Sequence, residues 1–208
     1  MRSQRICWVA PCAAASFLLA GAAAHGHPVL SFNEATGGNA TNQNQSVGWQ
    51  FNVVSPLTVT GLGWFDQGAN GLSVSHTVGI WNPSGTLLSS VVVPAGVAAP
   101  LDGQYRTSAV APFTLPVGTG YIVGGQNFST STDRLASNVS HTVDSRISYV
   151  DATFSNLNSG FVRPTQFSVA FTGFYGPSFS VVPVPEPSSI TLAFLAATAM
   201  AWFAQRHR

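Results

Sequence analysis

Hydrophobic and polar residues alternate along much of this chain. Val47, Trp49, Phe51 and Val53 alternate with Gly48, Gln50 and Asn52, the period of two that marks a strand with one buried face. Ser55-Pro56 breaks that run, and Leu57 to Phe65 is a second strand in which Gly61 and Gly63 allow a bulge or a close neighbour. His76 to Trp81 predicts a third, stopped by Asn82-Pro83-Ser84-Gly85, and Thr86 to Val93 pairs back on it as a hairpin. Tyr105 to Val110 and Phe113 to Leu115 predict short strands, as do Tyr121 to Gly125, Ile147 to Val150, Gln166 to Phe174 and Phe179 to Val182. Phe128 to Thr142 is polar and poorly patterned and predicts a long excursion. The body shows no useful helical period. Many short strands separated by turns predict an all-β fold, an antiparallel β-sandwich of jelly-roll type.

The two ends of the chain follow other patterns. Arg2 and Arg5 precede an apolar run from Ile6 to Leu19, and Ala22-Ala23-Ala24 forms a small-residue cleavage box, so residues 1–24 predict a signal peptide cut after Ala24. Both cysteines, Cys7 and Cys12, fall in that segment. A body without cysteine relies on its core and not on disulfides. Residues 25–182 are enough for one domain. Their charge is sparse, four arginines and no lysine against six acids, which argues against a nucleic-acid partner. His25-Gly26-His27 would open the mature chain; an amine with two imidazoles is a copper-binding combination, though a disordered terminus is the reading preferred.

Pro183, Pro185 and Pro187 make residues 183–189 an extended linker. Ile190 to Ala204 is uncharged and apolar on all sides and would span roughly 22 Å as a helix, near the core of a bilayer once Ser188, Ser189 and Gln205 are added. Arg206, His207 and Arg208 then end the sequence, so residues 190–208 predict a transmembrane helix with a basic stop at Arg206 and Arg208. The order Val184-Pro185-Glu186-Pro187, membrane helix, basic end resembles the bacterial PEP-CTERM sorting signal. That resemblance implies recognition by an exosortase, processing near the motif, and delivery from the inner membrane to the envelope or outside the cell. The blocks Ser46 to Phe51, Val59 to Asp66, His76 to Asn82 and Ser84 to Leu88 resemble a bacterial surface-protein domain of unknown function over roughly residues 32–172. It implies a β-sandwich, sometimes beside carbohydrate-active modules.

Catalytic chemistry finds little purchase in this pattern. His76 sits in a strand among apolar residues, and His141 in a serine-rich loop without a nucleophile-elbow motif. No metal-ligand spacing and no phosphate-binding glycine loop is present, so no catalytic residue and no cofactor is assigned. Asp66 with Asn70 offers oxygens to calcium, but also reads as an ordinary turn. Trp49 alternates in phase with Val47 and Phe51 and belongs in the core. Trp64 and Trp81 lie out of phase with neighbouring apolar sets and are the candidates for a sugar-stacking face. The expectation is a non-enzymatic exported envelope or matrix protein. The alternative is a carbohydrate-binding module acting on exopolysaccharide, and behind it a hydrolase.

Overall fold

The computed structural model describes residues 26–34, 38–40 and 43–182. The signal segment with Ala22 and Ala24, His25, the motif Val184 to Pro187, and the membrane segment with Arg206 and Arg208 lie outside the described residues. Among those described, no helix is long and apolar enough to cross a membrane.

The body is all β. Its strands are β1 (His27–Pro28), β2 (Leu30–Phe32), β3 (Gly38–Ala40), β4 (Gln45–Val53), β5 (Leu57–Phe65), β6 (His76–Trp81), β7 (Leu87–Val93) and β8 (Leu101–Asp102). They continue with β9 (Tyr105–Leu115), β10 (Gly118–Asn127), β11 (Leu135–Ser137), β12 (His141–Val143), β13 (Ile147–Phe154), β14 (Gln166–Phe167) and β15 (Pro177–Val181). A five-stranded sheet runs β1-β15-β5-β9-β8, and a six-stranded sheet runs β14-β13-β4-β10-β6-β7. Two small ribbons, β11-β3 and β12-β2, complete the set. The strand pairs are antiparallel throughout.

Local chemistry sets these boundaries. At the β6–β7 turn, Asn82 Oδ1 accepts from the Thr86 amide at 2.8 Å and from Ser84 Oγ at 2.7 Å. Gly85 takes a φ of 90° there, which side chains resist. Gly48 answers a different need: a Cβ on it would lie 2.0 Å from the Val123 carbonyl oxygen, so any larger residue would push β4 off β10. Several expected boundaries move. β9 is one strand across Pro112, not two. The excursion at Phe128 to Thr142 contains β11 and β12. Only Gln166–Phe167 of the predicted strand Gln166 to Phe174 pairs, and the rest winds as bends. His27 is not a loose terminus. It pairs with Val181 in β1, and its Nε2 lies 3.0 Å from Asp144 Oδ2.

The two large sheets face each other as a sandwich. Trp49, Phe51 and Val123 of the six-stranded sheet meet Leu62, Trp64 and Phe179 of the five-stranded one, all fully buried. The Trp49 ring stacks on Phe179 with centroids 5.9 Å apart, and its indole nitrogen donates to the Pro177 carbonyl at 2.9 Å. The five-stranded sheet also curls on its other face until its edges approach. Ser180 Oγ of β15 donates to Asp102 Oδ2 of β8 at 2.6 Å, and a Cβ on Gly103 would stand 3.0 Å from Pro28 of β1. This sheet is therefore nearly closed into a small barrel lying against the flatter sheet.

Trp49→Ala removes a ring that touches both sheets and orphans the Pro177 carbonyl. It should cost about 3–5 kcal/mol of stability, read as a lowered midpoint in urea unfolding with an unchanged slope.

Candidate functional site

Charged groups are few, and three clusters hold most of those described. Asp66 and Arg106 form a buried pair, Nε to Oδ2 at 2.7 Å. The same guanidinium donates to the carbonyls of Ala99 at 3.2 Å and Ala69 at 3.0 Å, so it pins the loops on either side. Asp144 meets Arg146 Nη2 at 2.7 Å and His27 at 3.0 Å. The Arg146 guanidinium holds the Asp144 carboxyl well below the usual carboxylate range, against the opposing pull of burial.

The third cluster comes nearest to catalytic geometry. His76, fully buried on β6, stacks on Trp64 of β5 with ring centroids 3.9 Å apart and planes 4° from parallel. Its Nε2 lies 2.9 Å from Asp133 Oδ2 and its Nδ1 2.9 Å from the Gln126 carbonyl. Ser73 Oγ and Ser131 Oγ donate to Asp133 Oδ2 at 2.9 Å and 3.0 Å. Histidine, carboxylate and serine thus share one corner, but in the wrong order. The serines bond the carboxylate and not the imidazole. The two imidazole nitrogens face the Gln126 carbonyl and the Asp133 carboxylate, so neither is set against a hydroxyl whose proton it could take. What this arrangement does is join β6, the Ser73 loop and the Phe128-to-Asp133 segment around one charge.

Asp133 is the centre of that join. Burial raises its carboxyl, but His76, the Ser73 amide and hydroxyl, and the Val74 amide outweigh burial and bring it down to about 2. A separate polar group surrounds Tyr175: its Oη and His141 Nδ1 are 2.8 Å apart, and the Tyr149 hydroxyl donates to the Thr172 carbonyl. Burial pushes the Tyr175 phenol up to about 12 and the Tyr149 phenol higher still, so both serve as neutral donors at ordinary pH. His141 is placed in β12, opposite Phe32, and not in a loop.

The expected sugar-stacking residues are not at the surface. Trp64 is 0% exposed and Trp81 5%. For Trp64 the cause is the register shift between Val59 and Gly61. It exchanges the faces of β5, so that Val59, Leu62 and Trp64 all point between the sheets. Trp64 there meets His76 and lies against Gly125, where a Cβ would be 2.7 Å from its Cζ3. For Trp81 the cause is a cover. Segment 155–165 folds over the outer face of the six-stranded sheet, and Phe161 sits 5.2 Å from the Trp81 ring while Pro164 presses on Gly124. With Trp49 also buried, none of the three offers an open ring.

Asp66 and Asn70 do line a common cleft of about 130 Å³ with Asp133 and Arg134. Asp66, however, accepts twice from the Gly71 amide, at 3.1 Å and 2.9 Å, and pairs with Arg106. A guanidinium on the carboxylate opposes a calcium ion at that spot. No group of three metal-ligating side chains occurs among the described residues.

Set beside known proteins, the chain matches no family model, no curated protein and no solved structure.

Asp133 supplies a pH test. Its folded-state pKa of about 2 lies below the ordinary value of about 3.9, so its stabilisation is present above pH ~4 and is lost as pH falls towards ~2. Asp133→Asn should be less stable than the parent at pH 6, and the gap in urea midpoints should close as pH drops through that window. A constant gap would show that the charge of Asp133 is not what matters.

Proposed function

We propose that this chain is a non-enzymatic, exported surface domain, delivered to the cell envelope or extracellular matrix through its C-terminal segment. The order of that segment carries the reading: Val184-Pro185-Glu186-Pro187, an apolar run from Ile190 to Ala204, and the basic Arg206 and Arg208. On this proposal an exosortase reads the motif, the apolar run holds the precursor in the inner membrane, and the signal segment is cut after Ala24. The jelly-roll description of the sandwich belongs to the same reading. It is supported by chain crossings between the two large sheets from β4 to β5, β5 to β6, β7 to β8, β9 to β10 and β14 to β15.

The fold supports this use in one further way. β1 pairs with β15, His27 opposite Val181, so the body leaves for both of its flanking segments from one edge. A domain built so can hang from a single attachment with its remaining surface free. Its charged clusters are spent on loops and sheet contacts, which suits a body whose task is display and not turnover.

The test is cellular. Deleting residues 190–208 should move the protein from the membrane fraction to the soluble periplasm. Glu186→Ala should leave membrane insertion intact and block processing, seen as a larger species on immunoblots. A truncated form that still pellets with membranes, or a Glu186→Ala form of unchanged mature size, would overturn the sorting reading.

A further inference from the structure

The curled face of the five-stranded sheet holds a feature that the export reading leaves unused. The strand register arranges this face in rows. Phe65 pairs with Tyr105, which pairs in turn with Asp102. Gly63 lies between Ser178 and Thr107, and Gly61 between Ser180 and Ala109. One end is plugged by aromatic rings, where Phe32 stands 4.9 Å from Phe65 and 6.3 Å from Tyr105. Above the plug, Gly61 and Gly63 put no side chain of β5 into these two rows, and Thr107 fills the room they leave. A Cβ on Gly63 would meet Thr107 Oγ1 at 2.7 Å, and one on Gly61 would meet Thr107 Cγ2 at 2.6 Å. Beside Thr107 opens a cavity of about 360 Å³, lined by Thr60, Thr107, Ala109, Ser180, Leu101 and Asp102 together with Gly26 and Pro100.

The fold uses the hydroxyl protons of Thr60, which donates to the Ser180 carbonyl at 3.4 Å, and of Ser180, but it leaves one hydroxyl of the lining unused. Thr107, nine-tenths buried in the cavity lining, has no hydrogen-bond partner for its Oγ1. The hydroxyls of Ser178 and Tyr105, buried on the same face, approach each other. Buried hydroxyls are normally paired, and an unpaired one in a cavity lining marks a place that something polar fills. Asp102 closes the rim. Its Oδ2 accepts from Ser180, and Oδ1 remains to accept from a ligand. The lining holds this one carboxylate and no cation, so an anion would be repelled. Leu101, Pro100 and Ala109 add an apolar strip. A carboxylate, several hydroxyls and an aliphatic strip around a cavity at the small end of ligand-pocket size match a polyol that shows both O–H and C–H faces.

We propose that this cavity binds a neutral saccharide, with one sugar ring entering beneath Asp102 and sharing its hydroxyls among Asp102, Thr60, Ser180 and Thr107. Recognition is by hydrogen bonds within a nearly closed sheet, not by tryptophan stacking. The inference deepens the surface-domain reading, but its test is made in solution, so failure of binding leaves the sorting result standing and failure of sorting leaves binding standing.

The full chain, purified in detergent, is applied to an array of glucose-, mannose-, galactose- and N-acetylglucosamine-terminated oligosaccharides, with polygalacturonate and spermidine as charged controls. Retention on at least one neutral glycan is expected, followed by titration with that glycan. Asp102→Asn should weaken binding at least tenfold and Thr107→Val at least threefold, with unchanged thermal midpoints. Should Thr107→Val fail to fold, Ala109→Phe, at an exposed position on the rim, should abolish binding by filling the mouth. Retention of no neutral glycan, which would mean that the cavity holds only water, overturns the proposal. So does binding of spermidine alone, or wild-type affinity in both Asp102→Asn and Ala109→Phe.

Discussion

The stack of His76 on Trp64 is the contact on which the sandwich depends most. One ring comes from the curled sheet and the other from the flat sheet, with centroids 3.9 Å apart. The contact is possible only because Gly125 and Gly176 leave room around the indole. The imidazole then carries the constraint outward. Through Asp133 it gathers Ser73, Val74 and Ser131, so a segment with little apolar content of its own is held by one buried charge. With no cysteine between residues 25 and 182, such a polar tether does for the Phe128-to-Asp133 loop what hydrophobic burial does for the strands.

The strands were legible because their alternation is strong. β4, β5 and β6 begin and end within two residues of where pattern and turn chemistry put them. The faces were harder. Alternation separates two sides of a strand, but it does not say that one of them is wet. Here the curled sheet buries Leu62 and Trp64 on one side and Phe65 and Tyr105 on the other, while segment 155–165 roofs the outer side of Trp81. Phase alone therefore points to an exposed tryptophan where both phases are dry. The two glycines of β5 were the available signal, since an uncovered strand has no need of Gly61 and Gly63 in succession.

The polar site was less legible still. His76 reads as a structural histidine from its apolar neighbours, and it is one. Nothing local marks Asp133 as its partner across 57 residues, and nothing in Asp102-Gly103 beyond a turn signal announces that the hairpin reaches over to Ser180. Long-range polar pairs of this kind depend on curvature, which arises from the sum of many small twists along the sheet, so neither partner carries a sign of it in its own neighbourhood.

The pairing of β1 with β15 has a mechanical meaning. A pull applied at Val182 enters β15, which is laddered to β1 on one side and to β5 on the other. Load along the strand must then shear two rows of hydrogen bonds together instead of unzipping one from its end. Ser180, which bonds to Asp102, stands two positions from the point of attachment. Tension between a bound partner at that rim and an anchor beyond Val182 would cross only those few residues, and the sandwich would hang beside the line of force, unstretched.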